Sequence, residues 1–149
     1  MSVKYILYNP LSCNGKGTEL AQKLTEIYND DELKYCNMTQ ISGYGTFFDS
    51  ISPESDIVLC GGDGTLNRFI NDSDGYPYEN PLYYYGTGSG NDFLRDLGKE
   101  QGCEPVRINE YVRNLPIVTV NGKSSRFINA IGYGIDGYCC ETGDELREK

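Results

Sequence analysis

A chain of 149 residues, 38% of them hydrophobic, is the right size for one globular domain with a buried core and not for two. Its net charge of −9, from 22 acidic against 13 basic side chains, disfavours a broad electrostatic surface for nucleic acid or for anionic lipid head groups, so any membrane contact must come from elsewhere. The six cysteines (Cys13, Cys36, Cys60, Cys103, Cys139, Cys140) contain no CxxC pair and there is no histidine to complete a zinc site, so they read as reduced thiols of a cytosolic, cytoplasmic protein.

Val3 to Tyr8 is a short apolar, β-prone run stopped by Asn9-Pro10, too short for a signal peptide, and Leu11 to Gly17 follows as a loop of small and turn-forming residues. Across Thr18 to Tyr28, Leu20, Ala21, Leu24 and Ile27 recur at helical spacing and predict an amphipathic helix closed by Asn29-Asp30-Asp31. Leu33 to Met38 reads as a second strand, and Gly43 to Ile51 as a short helix broken by Ser52-Pro53. Asp56-Ile57-Val58-Leu59-Cys60 suits a strand buried on both faces of a parallel sheet. Thr65 to Ile70 is helical with Leu66, Phe69 and Ile70 on one side, and Asn71 to Asn80 is polar loop. Leu82 to Tyr85 is a fourth strand, followed by Gly86-Thr87-Gly88-Ser89-Gly90 and a helix from Asn91 to Leu97.

This alternation predicts an α/β fold, a three-layer sandwich around a mainly parallel sheet. Leu115 to Val120 and Ser124 to Ile131 then flank Asn121-Gly122, a strong hairpin signal, so the domain is expected to end in an antiparallel pair. Gly143 to Lys149 reads as a solvated helix or frayed tail. No stretch of the sequence is long and apolar enough to span a bilayer.

In open α/β sheets ligands bind beyond the carboxyl ends of the strands, and both glycine clusters fall at such ends with a helix after each. In Gly61-Gly62-Asp63-Gly64-Thr65 the missing Cβ atoms let backbone N–H groups approach phosphate oxygens, the next helix presents its positive end, and Thr65 adds a hydroxyl. Asp63 would repel phosphate head-on, so a functional role requires it to face a hydroxyl nucleophile or a magnesium ion. The competing structural reading is a tight turn in which Asp63 caps the helix. Gly88-Ser89-Gly90-Asn91-Asp92-Phe93 offers a second loop to phosphate or ribose, with Asn91 or Asp92 as helix cap; alone it would be a common turn.

Two further glycine runs fail on spacing. Walker A requires Lys followed directly by Ser or Thr, whereas Lys16 is followed by Gly17. Gly132-Tyr133-Gly134-Ile135-Asp136-Gly137 matches GxGxxG but follows a hairpin strand, with no room for the downstream ribose-binding acid.

Taken in order, Asn9-Pro10, Gly15-Lys16-Gly17, Thr39 after the second strand, Gly61 to Asn67, Gly88 to Phe93 and Phe127 to Gly134 resemble the diacylglycerol kinase catalytic domain, shared by bacterial lipid kinases, sphingosine kinases and ceramide kinases. The first glycine loop alone is also found in NAD kinases and is related to a loop of phosphofructokinases; Asn9-Pro10 and Gly88 to Phe93 narrow the resemblance to lipid kinases. It implies an NAD kinase/phosphofructokinase-like sandwich with an ATP site lined by Asn9, Thr39, Gly61, Gly62, Asp63, Gly64, Thr65, Asn67, Gly88, Ser89 and Gly90. Asp63, near the transferred phosphate, is the implied catalytic residue. The implied reaction moves the γ-phosphate of ATP, with Mg2+, to a hydroxyl of a diacylglycerol- or sphingoid-type lipid, and it rests on positioning and charge neutralisation more than on a strong base. No residue is assigned as a dedicated metal ligand.

Two departures qualify the resemblance. The family's loop continues with Asn and then Glu, but here Asn67 is followed by Arg68, which either pairs with phosphate or is a solvated helix residue. Family members also carry a second, β-rich domain that closes over the acceptor lipid, so this chain is expected to be a fragment or an isolated nucleotide-binding domain. Peripheral membrane contact would then arise only in the full protein. A nucleotide-binding module without catalysis is one alternative, and a kinase of a soluble acceptor such as NAD, for which no acceptor-recognition residues are found, is the other. Asp136 and Arg147 are weaker candidates to approach acceptor or phosphate.

Overall fold

Continuous apolar runs build the middle of the sheet. In the computed structural model, which describes residues 2–129, β3 (Asp56–Gly61) is central, and Ile57, Val58 and Leu59 have no exposed surface. It is flanked by β1 (Val3–Tyr8) and β4 (Leu82–Gly86), and β2 (Glu32–Asn37) lies beyond β1; all four run parallel. β5 (Val106–Arg107) adds an antiparallel edge strand against β4, giving the order β2-β1-β3-β4-β5.

Because side chains alternate across a strand, the same runs supply two cores. Leu7, Ile57, Leu59, Leu82 and Tyr84 face one layer, made by α4 (Tyr44–Ser50), α5 (Asp63–Asp72) and α6 (Asp92–Asp96). Ile6, Val58, Cys60 and Tyr85 face the other, where Ala21 of α2 (Gly17–Gln22) and Leu24 of α3 (Leu24–Ile27) cover them. The three layers and the mainly parallel sheet are those expected from the sequence.

Some elements differ. The helix predicted over Thr18 to Tyr28 is split, because its ladder tightens at Lys23, whose N–H reaches Leu20 O at 3.3 Å. Before it, the single turn α1 (Ser12–Gly15) holds Cys13 at φ 54° and Asn14 at φ 57°, both left-handed. β5 and α7 (Asn109–Val112) have no counterpart in the sequence reading. They are fixed by tertiary bonds: Asn109 Oδ1 accepts from Leu82 N–H at 2.8 Å, and Asn109 Nδ2 donates to Asn80 O at 2.9 Å.

The antiparallel hairpin is present, though its strands are shorter than predicted: β6 (Ile117–Val120) pairs with β7 (Lys123–Arg126). Asn121 at φ 51° and Gly122 at φ 77° supply the two positive φ angles of a type I′ turn. The hairpin is a separate sheet, pinned to α5 by Asn71, which donates to Arg126 O at 3.0 Å and accepts from Arg126 N–H at 2.8 Å. The Gly132–Gly137 run, Cys139, Cys140, Asp136, Arg147 and the charged tail lie outside the described residues, as does the end of the Phe127–Gly134 element. Among the described residues no helix is long and apolar enough to cross a membrane.

Candidate functional site

The chain passes from β1 to β2 on one side and then crosses to β3 on the other, so the strand order reverses direction between β1 and β3. At such a point the loops leaving the strands diverge and open a crevice at their carboxyl ends. In the sheet register Tyr8 lies beside both Asn37 and Cys60, and Gly61 lies beside Gly86, so the loops carrying Asn9, Thr39, Gly62 and Gly88 leave the same edge.

The two glycine loops touch through their backbones. Thr87 N–H donates to Gly61 O at 2.8 Å, extending the ladder past the ends of both strands. A Cβ on Gly88 would fall 2.5 Å from Gly62 Cα, and one on Gly61 would fall 2.5 Å from the Thr65 side chain. These glycines are therefore required by packing, whatever binds above them. Thr65 is buried beneath the loop.

Asp63 has a structural task that the sequence did not reveal. Its carboxylate accepts from Asp92 N–H at 2.7 Å and Phe93 N–H at 3.3 Å, so it caps the helix of the second glycine loop rather than its own. A carboxylate has about four lone-pair positions, so this use leaves room for further partners. Asn91, left-handed at φ 37°, donates its side-chain amide to Gly88 O and closes the second loop.

Gly64 differs from its neighbours. A Cβ there would meet nothing within 4 Å, and the residue is exposed in the first turn of α5. The N-cap residue Gly62 has no side chain to satisfy the free N–H groups, and the helix ladder starts only with Leu66 N–H to Gly62 O at 3.1 Å. The first-turn N–H groups of this ten-residue helix thus have no intrahelical acceptor, the feature that lets a helix start bind anions. Gly90 is almost as open, with only Asp63 Oδ2 near, at 3.9 Å. Ser89 is exposed on the same loop.

The remaining predicted residues surround this centre at different removes. Asn9 shapes the loop after β1: its side chain accepts from Leu11 N–H at 3.0 Å, and its carbonyl accepts from Ser12 N–H at 3.0 Å. A Cβ on Gly17 would fall 1.9 Å from Asn9 O, so α2 starts directly against it. Thr39 stands one strand farther out, at the end of β2, with its N–H and hydroxyl both donated to Asn37 Oδ1 at 2.9 and 2.8 Å. Asn67, one turn after Asp63 on α5, has a buried side-chain carbonyl with no partner among the described residues, and so does Asn91. Arg68 lies on the exposed side of α5 and pairs with Asp72 at 3.3 Å, which matches the solvated-helix reading.

Cys13 is a residue of the site that the sequence did not single out. Its thiol donates to Thr87 O at 3.3 Å and ties the first loop to the second glycine loop. On the other side Cys60 also meets Thr87, and burial pushes its thiol up to about 12. The left-handed φ of Cys13 was the only possible signal, and it is invisible without coordinates. Among the described residues no three Cys, Asp or Glu side chains gather closely enough to hold a metal ion by themselves.

A family model of the diacylglycerol kinase catalytic domain matches residues 4–120, from the second residue of β1 to the end of β6, and takes in all of the loops just described. With well over half of its 149 residues matched, the chain belongs to the diacylglycerol kinase catalytic domain family.

Proposed function

We propose that this domain binds MgATP in the crevice between β1 and β3 and forms the nucleotide-binding part of a kinase that phosphorylates a lipid hydroxyl of the diacylglycerol or sphingoid type. Gly64 is the observation that carries the reading. A glycine near the start of a helix costs about 0.5–1 kcal/mol relative to alanine, and here neither packing nor a left-handed φ requires one. A ligand that needs close approach to the backbone explains it.

In this reading the free N–H groups of the first turn of α5 bind phosphate oxygens, and the Gly88–Gly90 loop, held against Gly62, forms the facing wall. Asp63, fixed by its bonds to the start of α6, uses its remaining lone pairs to hold magnesium or the acceptor hydroxyl. Asn67 lies one turn along the same helix, and its side-chain carbonyl, buried and without a partner among the described residues, is the next candidate to turn toward the bound group. Magnesium supplies neutralisation of the phosphate charge when bound.

The test is Gly64→Ala. It should raise stability to urea by roughly 0.5–1 kcal/mol while the thermal stabilisation by MgATP is lost. A variant stabilised by MgATP as strongly as the wild type would overturn the phosphate-loop assignment. Radiolabelled ATP offered to the full protein with diacylglycerol, sphingosine or NAD decides the acceptor class. Asp63→Asn, assayed in that protein, separates the catalytic reading from a nucleotide-binding module without catalysis: unchanged phosphoryl transfer would remove Asp63 from the chemistry.

A further inference from the structure

At the other edge of the sheet, beyond the carboxyl end of α5, the chain from Ser73 to Tyr78 walls a cavity of about 380 Å³ together with Ile70, Val112, Arg113 and Arg126. That volume lies within the range of about 300–1,000 Å³ typical of small-molecule sites. It is separate from the glycine loops, since the ten residues of α5 rise roughly 15 Å between the two.

The walls are held in place. Tyr78 stacks on Phe48 with ring centroids 4.6 Å apart, and Tyr76 lies so close to Gly45 that a Cβ there would fall 2.8 Å from the ring. Ile70, Val112 and Pro77 complete an apolar lining. Arg126 is paired with Asp74 through Nε at 2.9 Å and donates from Nη1 to Leu115 O at 3.2 Å. Asn109 is likewise engaged in its bonds to Leu82 and Asn80.

Arg113 is different. It forms no ion pair among the described residues, yet its charge lies close enough to the Tyr78 hydroxyl to oppose part of the rise that burial causes there. A guanidinium presents a planar fork that matches a carboxylate, and two tyrosine rings with aliphatic neighbours suit a flat apolar body. With Arg126 neutralised by Asp74, one cation remains, and a chain of net charge −9 disfavours a dianion.

We propose that this cavity is a second ligand site, distinct from the nucleotide crevice, which takes a small planar carboxylate of about the size of benzoate. Titration of the methyl-labelled chain with benzoate, followed by NMR, should shift the Ile70 and Val112 signals saturably. Benzamide, the uncharged analogue, should bind about tenfold more weakly or less. Arg113→Gln should weaken benzoate by a similar factor without changing the melting temperature or the response to benzamide. Equal affinity for the two probes, shifts centred away from Ile70 and Val112, no saturation, or an unaltered benzoate response in Arg113→Gln would each overturn the proposal.

Discussion

Gly62 and Gly88 meet backbone to backbone, and neither can yield as the end of a flexible side chain would. In Gly88→Ala the new Cβ would stand 2.5 Å from Gly62 Cα, so the two loops must part. A loss of about 1–3 kcal/mol is expected from such overpacking, measured by urea denaturation, together with weaker MgATP stabilisation. The neighbouring Gly64 has the opposite sign, since its Cβ enters open space. Five residues, Gly61 to Thr65, thus contain glycines that packing requires and one, Gly64, that packing does not. The sequence shows the cluster but cannot distinguish the two kinds, because the difference lies in a partner 26 residues away, at Gly88. Cys60 illustrates the same point for reactivity: its burial at 1% exposure and raised pKa predict that iodoacetamide at pH 8 leaves it unmodified in the folded chain, as peptide mass spectrometry would show.

Among the elements, α5 does most of the joining. At its start Asp63 caps α6, and Asp63→Ala should cost about 1–2 kcal/mol, with faster hydrogen exchange at the Asp92 and Phe93 amides. Near its end Asn71 holds β7 by two bonds, and Asn71→Ala leaves an Arg126 N–H and carbonyl unpaired. A loss of about 1–3 kcal/mol is expected, and exchange should accelerate across the β6–β7 hairpin while β3 stays protected. Unchanged hairpin exchange would show that contacts other than Asn71 hold it. The strands β1 to β4 and the Asn121-Gly122 turn were legible because apolar runs and positive-φ residues are local signals. β5 and α7 were not: a two-residue strand has no period, and the side chain of Asn109, remote in sequence from its partners Leu82 and Asn80, fixes their place.

At the scale of the whole molecule, burial sets the response to alkaline pH. Burial raises Cys60 from its ordinary 9.0 to about 12 and Tyr78 from 10.0 to about 12, and it raises Tyr28, Tyr44 and Tyr84 as well. The folded chain therefore keeps protons that the unfolded chain releases, so stability is full below about pH 9 and falls progressively between 9.0 and about 12. Urea midpoints at pH 8, 9, 10 and 11 check this; a flat profile would mean that these groups are open to water in the folded state. On the proposed nucleotide-binding reading, saturating MgATP is expected to act in the opposite direction by mass action, adding about 2.7 kcal/mol at a hundredfold excess over Kd, which corresponds to a melting shift of roughly 5–10 °C.

The sequence by itself determined the family, the layered fold and the position of both glycine loops, because each depends on local signals: apolar runs for buried parallel strands, and glycine clusters directly after two of them. The tertiary structure alone decided what each site residue does within that frame. It turned Asp63 toward α6, placed Cys13 against Thr87, sent Arg68 to the exposed side of its helix and left Gly64 open. Those outcomes depend on contacts between segments far apart in the chain, and such contacts are set by how the layers pack.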